Sequence, residues 1–433
     1  MRARHHRIPS RDLAALAAGH GGREATQRLV AVQYSRHVLL VRGVVDALAG
    51  PGAGEMRAAF DLLADIQRQA PGAVDMVLRH PSVGAWALEA LKGDANPAAL
   101  GGVTAAAAVR ARIPCTVKVP VENGRVVLPS VGQATFSPSC TSAEVRIGRA
   151  EIRAEIWAEI WAGGARVAIP ADAHRDAPGW RGLRRLSACD GPPLHLLLDD
   201  LDPHRFPGAR VRRRLSDDEA ARWEATLRDA WRLLRRDHWT TATEIREMIR
   251  VLTPLEATGP GLRSATHPHA FGAAGLSDPV DGLSLACTLA HEVQHAKLAA
   301  LMNAVPLVLD GDSRTFYAPW RDDPRPLGGL LQGAYAYLGV SGFWRRQRRH
   351  ERGEAAVAAH AEFVLWRDAV LEATHTLLDS GGLTEHGETF VTGMRRSLLA
   401  WRAEPVPDVA LSLARRSAER HRTNWRRRNA REI

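Results

Sequence analysis

His291-Glu292-Val293-Gln294-His295 holds the residues of this 433-residue chain whose types and spacing could do chemistry. On a helix, histidines four apart project from one side about one turn apart, so their imidazoles can converge on a single metal ion. Glu292 is offset by roughly 100°, at about 3.6 residues per turn. It stands beside that ion, placed to orient or deprotonate a metal-bound group. In a chain with 18 histidines, chance supplies such a pattern at roughly a few per cent, and more often in a polar segment or a loop. This one lies in residues 283–301, where Leu285, Ala286, Leu289, Val293, Ala296 and Leu298 are apolar and no Gly or Pro interrupts before Val305. A helix this apolar is expected to be buried, and buried histidines need partners.

The elements around this helix must position it. Just before it, residues 266–277 (THPHAFGAAGLS) read as an extended strand lining the site, with His267 and His269 on one side of that strand, either as surface histidines or in contact with metal or substrate. After it comes a loop, residues 316–326, stiffened by Pro319, Pro324 and Pro326 and carrying Tyr317, Arg321 and Arg325. Residues 327–340 form a small-residue helix able to pack closely, whose strongly polar internal residue is Gln332. Helices at 343–349, 353–380 and 386–400 complete the region.

Upstream, residues 10 to about 110 read as helical, with Ser10 as an N-cap, a long helix from 27 to 48 stopped by Pro51-Gly52, and further helices at 55–69, 74–78 and 83–91. From Cys115 the texture alternates apolar and polar. Glu122-Asn123-Gly124 signals a two-residue hairpin. The Ala154–Trp157 sequence repeats at 158–161 and suits an edge strand or a short helix, while 165–170 and 194–200 are further strands of a sheet between about 113 and 200. Ser216 and Glu219 form a capping box opening a helix through Arg235, and 245–253 is a helix end or a strand. The expected fold class is α+β, mostly helical, in three regions: helical 1–110, sheet-containing 111–210 and metal-binding 211–433.

Apolar residues at 45% and charged residues at 24% are those of an ordinary globular protein. No run of 18 or more apolar residues exists, so no membrane span is expected, and the N-terminus lacks the apolar core of a secretory signal. Cys115, Cys140, Cys189 and Cys287 are scattered without CxxC spacing, which reads as free thiols in a reducing cytoplasm. The net charge of +10 raises nucleic acid as a partner. Only Lys92, Lys118 and Lys297 are lysine among 58 basic residues, which looks like coding bias towards arginine. The basic cluster 415–431 interleaves with one aromatic, Trp425, so a solvated helix is expected there and nucleic-acid binding is not.

AHEVQHAKLAALMNAVPL (290–307), YAPWRDDPRPLGGLLQGAY (317–335) and FWRRQ (343–347) together resemble the HExxH-motif peptide-modifying proteins of actinobacterial ribosomal-peptide clusters, the alpha-ketoglutarate-dependent peptide beta-hydroxylases. The resemblance covers roughly residues 280–370, with a weaker match over 8–48. It implies a zincin-like metal helix, non-haem Fe(II), 2-oxoglutarate and O2, and hydroxylation at a beta carbon of a ribosomally made precursor peptide. Such an ion takes about three protein ligands and leaves three positions open. His291 and His295 supply two. Gln332 is the first candidate for the third, or else a partner of a ligand, with Glu351, Glu354 and Glu362 as alternatives. Arg321 and Arg325 are candidates to grip the distal carboxylate of the keto acid, or else pair with Asp322 or Asp323. Tyr317 either donates a hydrogen bond to a bound oxygen or packs as an aromatic, and Glu292 hydrogen-bonds a metal-bound group or a ligand histidine.

Two other readings stay open. A zinc metallopeptidase would use Glu292 as general base, although no HxxGxxH extension follows the motif. A non-catalytic peptide-binding protein would carry the motif as a vestige.

Overall fold

The computed structural model describes residues 6–48, 52–149, 156–189, 191–257 and 263–429. The fold is α+β and mostly helical, as expected. In chain order it runs α1 (Ser10–Ala17), α2 (Gly22–Asp46), α3 (Ala53–Gln69), α4 (Pro71–Leu78), α5 (Pro81–Lys92) and α6 (Leu100–Ala111). Nine strands follow: β1 (Cys115–Pro120), β2 (Arg125–Leu128), β3 (Gly132–Thr135), β4 (Ser142–Arg149), β5 (Ile156–Ala162), β6 (Ala165–Ile169), β7 (Trp180–Gly182), β8 (Arg184–Ala188) and β9 (Leu194–Leu198). Then come α7 (Asp217–Asp237), α8 (Trp239–Met248), β10 (Val251–Pro254), β11 (Ser264–Ala265), β12 (Ala273–Leu276) and α9 (Gly282–Met302). The chain closes with β13 (Thr315–Phe316), β14 (Arg325–Pro326), α10 (Leu327–Gln347), α11 (Gly353–Asp379), α12 (Glu385–Arg402) and α13 (Asp408–Asn429). No helix among the described residues is long and apolar enough to cross a membrane.

The chain divides into two compact units that interleave along the sequence. Among the described residues, one comprises those of 33–225 and 249–279, and the other comprises 6–32, 226–248 and 280–429. In the first unit a four-stranded antiparallel sheet, β1-β4-β5-β6, stands beside a three-stranded one, β2-β3-β7, and a mixed five-stranded sheet, β11-β12-β10-β9-β8. Helix α6 is central because its sequence is small: Gly101 and Gly102 bring the helix so close to the strands that a Cβ would meet the carbonyl oxygens of Lys118 at 2.2 Å and Val127 at 2.5 Å. Prolines at the first positions of α4 and α5 start those helices, and Gly93, left-handed at φ 86°, ends α5.

The second unit is built on helix packing, with α10 lying against both α9 and α11. Small residues again set the approach. A Cβ on Gly339 would sit 2.5 Å from Gln294 of α9, and one on Gly333 would sit 2.3 Å from the Trp320 indole nitrogen.

Some local signals formed where expected, the Ser10 cap did not, and nonlocal pairing did not always follow. Asn123 and Gly124 both take positive φ and close a tight turn, with Glu122 and Arg125 exchanging two backbone hydrogen bonds of 2.9 Å. The flanking strands then diverge: β1 pairs with β4, and β2 pairs with β3, so the turn joins two sheets instead of closing a hairpin. Strand β5 lies between β4 and β6, an interior position, which removes both the edge-strand and the helix readings of the second Ala-Glu-Ile-Trp copy. Residues Ala154 and Glu155 of the first copy fall outside the described residues. Residues 266–277 are not one strand: β11 and β12 flank a turn that carries His267 and His269, so these histidines do not share a strand face. Their rings pack edge to face, and His269 Nδ1 lies 3.0 Å from Arg36 Nη2. Ser10 begins α1, with Pro9 at the cap position and no side-chain cap. The expected helices at 327–340 and 343–349 are one helix, α10. The basic cluster lies on α13, whose Ala410 and Ala414 are buried.

Candidate metal centre

Helix α9 starts on Asp281, whose carboxylate accepts from the backbone N–H and the hydroxyl of Ser284, both at 2.8 Å. Its apolar positions are buried on most of the circumference, which leaves the polar residues in defined contacts. On one side Lys297, fully buried, donates to Glu244 Oε2 at 2.7 Å. Glu244 Oε1 in turn accepts from the backbone N–H groups of Gly21 and Gly22, and Gln294 donates to the carbonyl of Gly19 at 2.8 Å. This lock fixes the rotation of α9 about its own axis.

His291 and His295 therefore face the same direction, and their Nε2 atoms stand 3.1 Å apart. That separation suits two nitrogens bound to one ion at about 2.0–2.1 Å each. Burial, then the neighbouring His295, holds His291 well below the usual histidine range, so its imidazole is neutral near pH 7, the form that binds metal. The buried Glu292 carboxylate lies with Oε1 4.0 Å from His291 Nε2.

Gln332, on α10, places its Oε1 3.3 Å from Nδ1 of His295. An amide oxygen only accepts, so His295 donates from Nδ1 and turns a bare Nε2 towards His291. Gln332 thus stands behind the ring as an orienting partner, while its amide nitrogen contacts the Met302 sulfur at 3.7 Å. Among the described residues no carboxylate, thiol or further imidazole joins the two histidine nitrogens within 4.8 Å. The pair therefore fits a divalent ion held by two protein imidazoles.

The loop arginines carry an ion pair at their tips. Arg321 Nε and Arg325 Nη1 bind the two oxygens of Asp323 at 2.9 and 3.1 Å, the alternative arrangement for these residues. Tyr317 is engaged elsewhere: its hydroxyl lies 3.0 Å from His421 Nδ1, its ring packs edge-on to Trp425, and Arg422 covers its face. Glu351 accepts from Gln347, and Glu354 is exposed at the start of α11. Glu362 is half-buried, accepts from the Trp366 indole at 2.7 Å, and is pushed up by burial.

Tyr337 was not singled out by motif or spacing, yet it is the hinge of the site. Its ring meets His291 edge to face at 5.1 Å, stacks on Trp320 at 5.0 Å and lies tilted against Trp366 at 4.3 Å. Burial, with Cys287 and Glu362 nearby, pushes its hydroxyl up to about 12. Cys287, one turn before His291, is likewise pushed up to about 12 by burial and Glu362, which keeps it a neutral thiol. Gly333 leaves the space in which Trp320 packs against α10, and no sequence signal marks this aromatic wall. No family model matches the chain, and no curated protein matches it.

Proposed function

We propose that His291 and His295 hold Fe(II) and that the protein is a 2-oxoglutarate-dependent hydroxylase acting on a beta carbon of a ribosomally made precursor peptide, as its resemblance to HExxH peptide-modifying proteins implies. The observation that carries this reading is the paired Nε2 geometry, anchored from behind by Gln332 and joined by no carboxylate. Two protein ligands leave an octahedral ion more open positions than a bidentate keto acid and O2 require. When bound, iron and the keto acid convert the peptide C–H and O2 to C–OH, with 2-oxoglutarate leaving as succinate and CO2.

The chain's own residues have separable tasks in this reading. Gln332 holds the His295 tautomer, and Glu292 supplies the buried negative charge beside His291. The Tyr337 ring, packed against Trp320 and Trp366, covers His291 and excludes water from that side of the ring. Arg321 and Arg325 receive the distal carboxylate by exchanging Asp323 for it, which is cheap because all three side chains are substantially exposed. The test is mass spectrometry of candidate precursor peptides co-expressed with wild type and with His295→Ala. A gain of one oxygen atom seen only with wild type supports the reading; peptide cleavage by the Zn(II)-loaded protein overturns it.

A further inference from the structure

The unit formed by residues 33–225 and 249–279 contains a second constellation, on elements that no motif marks. His80 precedes α5, Ser82 lies in its first turn, and Asp199 and Asp202 lie on the loop that leaves β9. All four are almost fully buried.

Proton bookkeeping fixes what faces what. Ser82 has one hydroxyl proton and donates it to Asp202 Oδ2 at 2.7 Å. The contact of 2.8 Å between Ser82 Oγ and His80 Nδ1 must therefore be donated by the imidazole. Neutral His80 is left with a bare Nε2, and that atom points at Asp199 Oδ2 across 3.8 Å. Asp199 spends its other oxygen on the backbone N–H groups of Leu201 and Asp202 at 3.1 and 2.9 Å. Both His80 Nε2 and Asp199 Oδ2 are buried and have no hydrogen-bond partner. Lone pairs thus oppose each other at a separation too long for a shared proton.

The charge balance points the same way. Two buried carboxylates sit side by side, and the nearby Arg205 directs its donors to backbone carbonyls, of Asp202 at 2.6 Å and Arg212 at 3.1 Å. Burial of unpaired carboxylate is costly.

We propose that His80, Asp199 and Asp202 form a metal site for a divalent transition-metal ion, bound through one imidazole nitrogen and two carboxylate oxygens. Ligand atoms from all three residues lie within 4.8 Å of one another. An ion about 2.1 Å from His80 Nε2 and Asp199 Oδ2, which stand 3.8 Å apart, would subtend roughly 130°, within the range of a distorted tetrahedral or trigonal centre. The hydroxyl of Ser82 holds both His80 and Asp202 and acts as the positioning residue, in the manner of outer partners that fix metal-ligating histidines. Ser82 and Asp202 also line a small cleft of about 50 Å³ with Trp86, Glu122, Arg125 and His204, open towards solvent.

This site is independent of the proposed iron centre, so the experiment removes that centre first. Full-length His291→Ala/His295→Ala protein is stripped with EDTA, dialysed against Zn(II) or Mn(II), desalted and analysed for metal. The proposal expects close to one equivalent of either ion, and a loss of at least tenfold in affinity on adding Asp199→Asn, which keeps the acceptor for Leu201 and Asp202. His80→Gln replaces Asp199→Asn if that variant does not fold. No retained metal in the double variant overturns the proposal, as does full retention after the third substitution. Failure of the iron centre would instead appear as unchanged metal content between wild type and the double variant.

Discussion

Nδ1 of His295 lies 3.3 Å from Oε1 of Gln332, while Nε2 of the same ring lies 3.1 Å from Nε2 of His291. One ring thus touches α10 with one nitrogen and offers the other to the metal position. Gln332→Leu removes the acceptor without touching a ligand atom. Outer partners of this kind are worth about 10–100-fold in metal affinity. Competition with a chelating dye should show that loss with the metal stoichiometry unchanged at saturation; unaltered affinity would remove Gln332 from the site.

Lys297 and Glu244 make the same helix rigid from its other side. Lys297→Met leaves the Glu244 carboxylate buried with only the backbone N–H groups of Gly21 and Gly22. Breaking a buried pair from one side costs about 3–5 kcal/mol. Urea unfolding should show a loss of that order, and Lys297→Met/Glu244→Gln should recover part of it. A single-variant loss under about 1 kcal/mol would show that the pair does not lock α9.

Gly84 of α5 lies against the buried ring of His37, where a Cβ would come 2.3 Å from Nε2. Alanine in a helix normally gains about 1 kcal/mol over glycine. Overpacking a closed core costs about 1–3 kcal/mol and wins here. Gly84→Ala should therefore lower the melting temperature, and Gly84→Ala in a His37→Ala background should lose less; a stabilised single variant contradicts the packing.

His37 also sets an acid response. Burial, assisted by Arg36, holds it down to about 4 despite the hydrogen bond to the Leu78 carbonyl. Its folded value lies below its unfolded value of 6.5, so the unfolded chain binds the extra proton. Stability from this group is full above about pH 6.5 and falls between there and about pH 4, by up to about 1.4 kcal/mol per pH unit. Unfolding curves across that window should be less steep in pH for His37→Gln than for wild type. Parallel profiles would mean that His37 is solvated.

Local chemistry was legible in the sequence, and long-range partnership was not. The capping box formed as read, with Ser216 N–H donating to Glu219 at 2.7 Å and Glu219 N–H to Ser216 at 3.2 Å. The Asn123-Gly124 turn formed for the same reason, since its φ angles are a property of two residues. The partner of β1 is β4, a choice made by packing across the sheet. Likewise α9 was legible from its apolar run, whereas Tyr337 acquires its place by packing against Trp320 and Trp366 from separate elements. His80 and Asp199 meet across an interval that no spacing rule spans. Arg321 and Arg325 converge on Asp323 because all three share one stiff loop.

The proposed function requires iron and keto acid to meet at His291 and His295. The direct measurement is visible absorption of anaerobic Fe(II)-loaded protein on addition of 2-oxoglutarate. Wild type should develop a saturable charge-transfer band, and His291→Ala/His295→Ala should develop none. A band of equal intensity in the double variant, or none in iron-loaded wild type, would contradict the account.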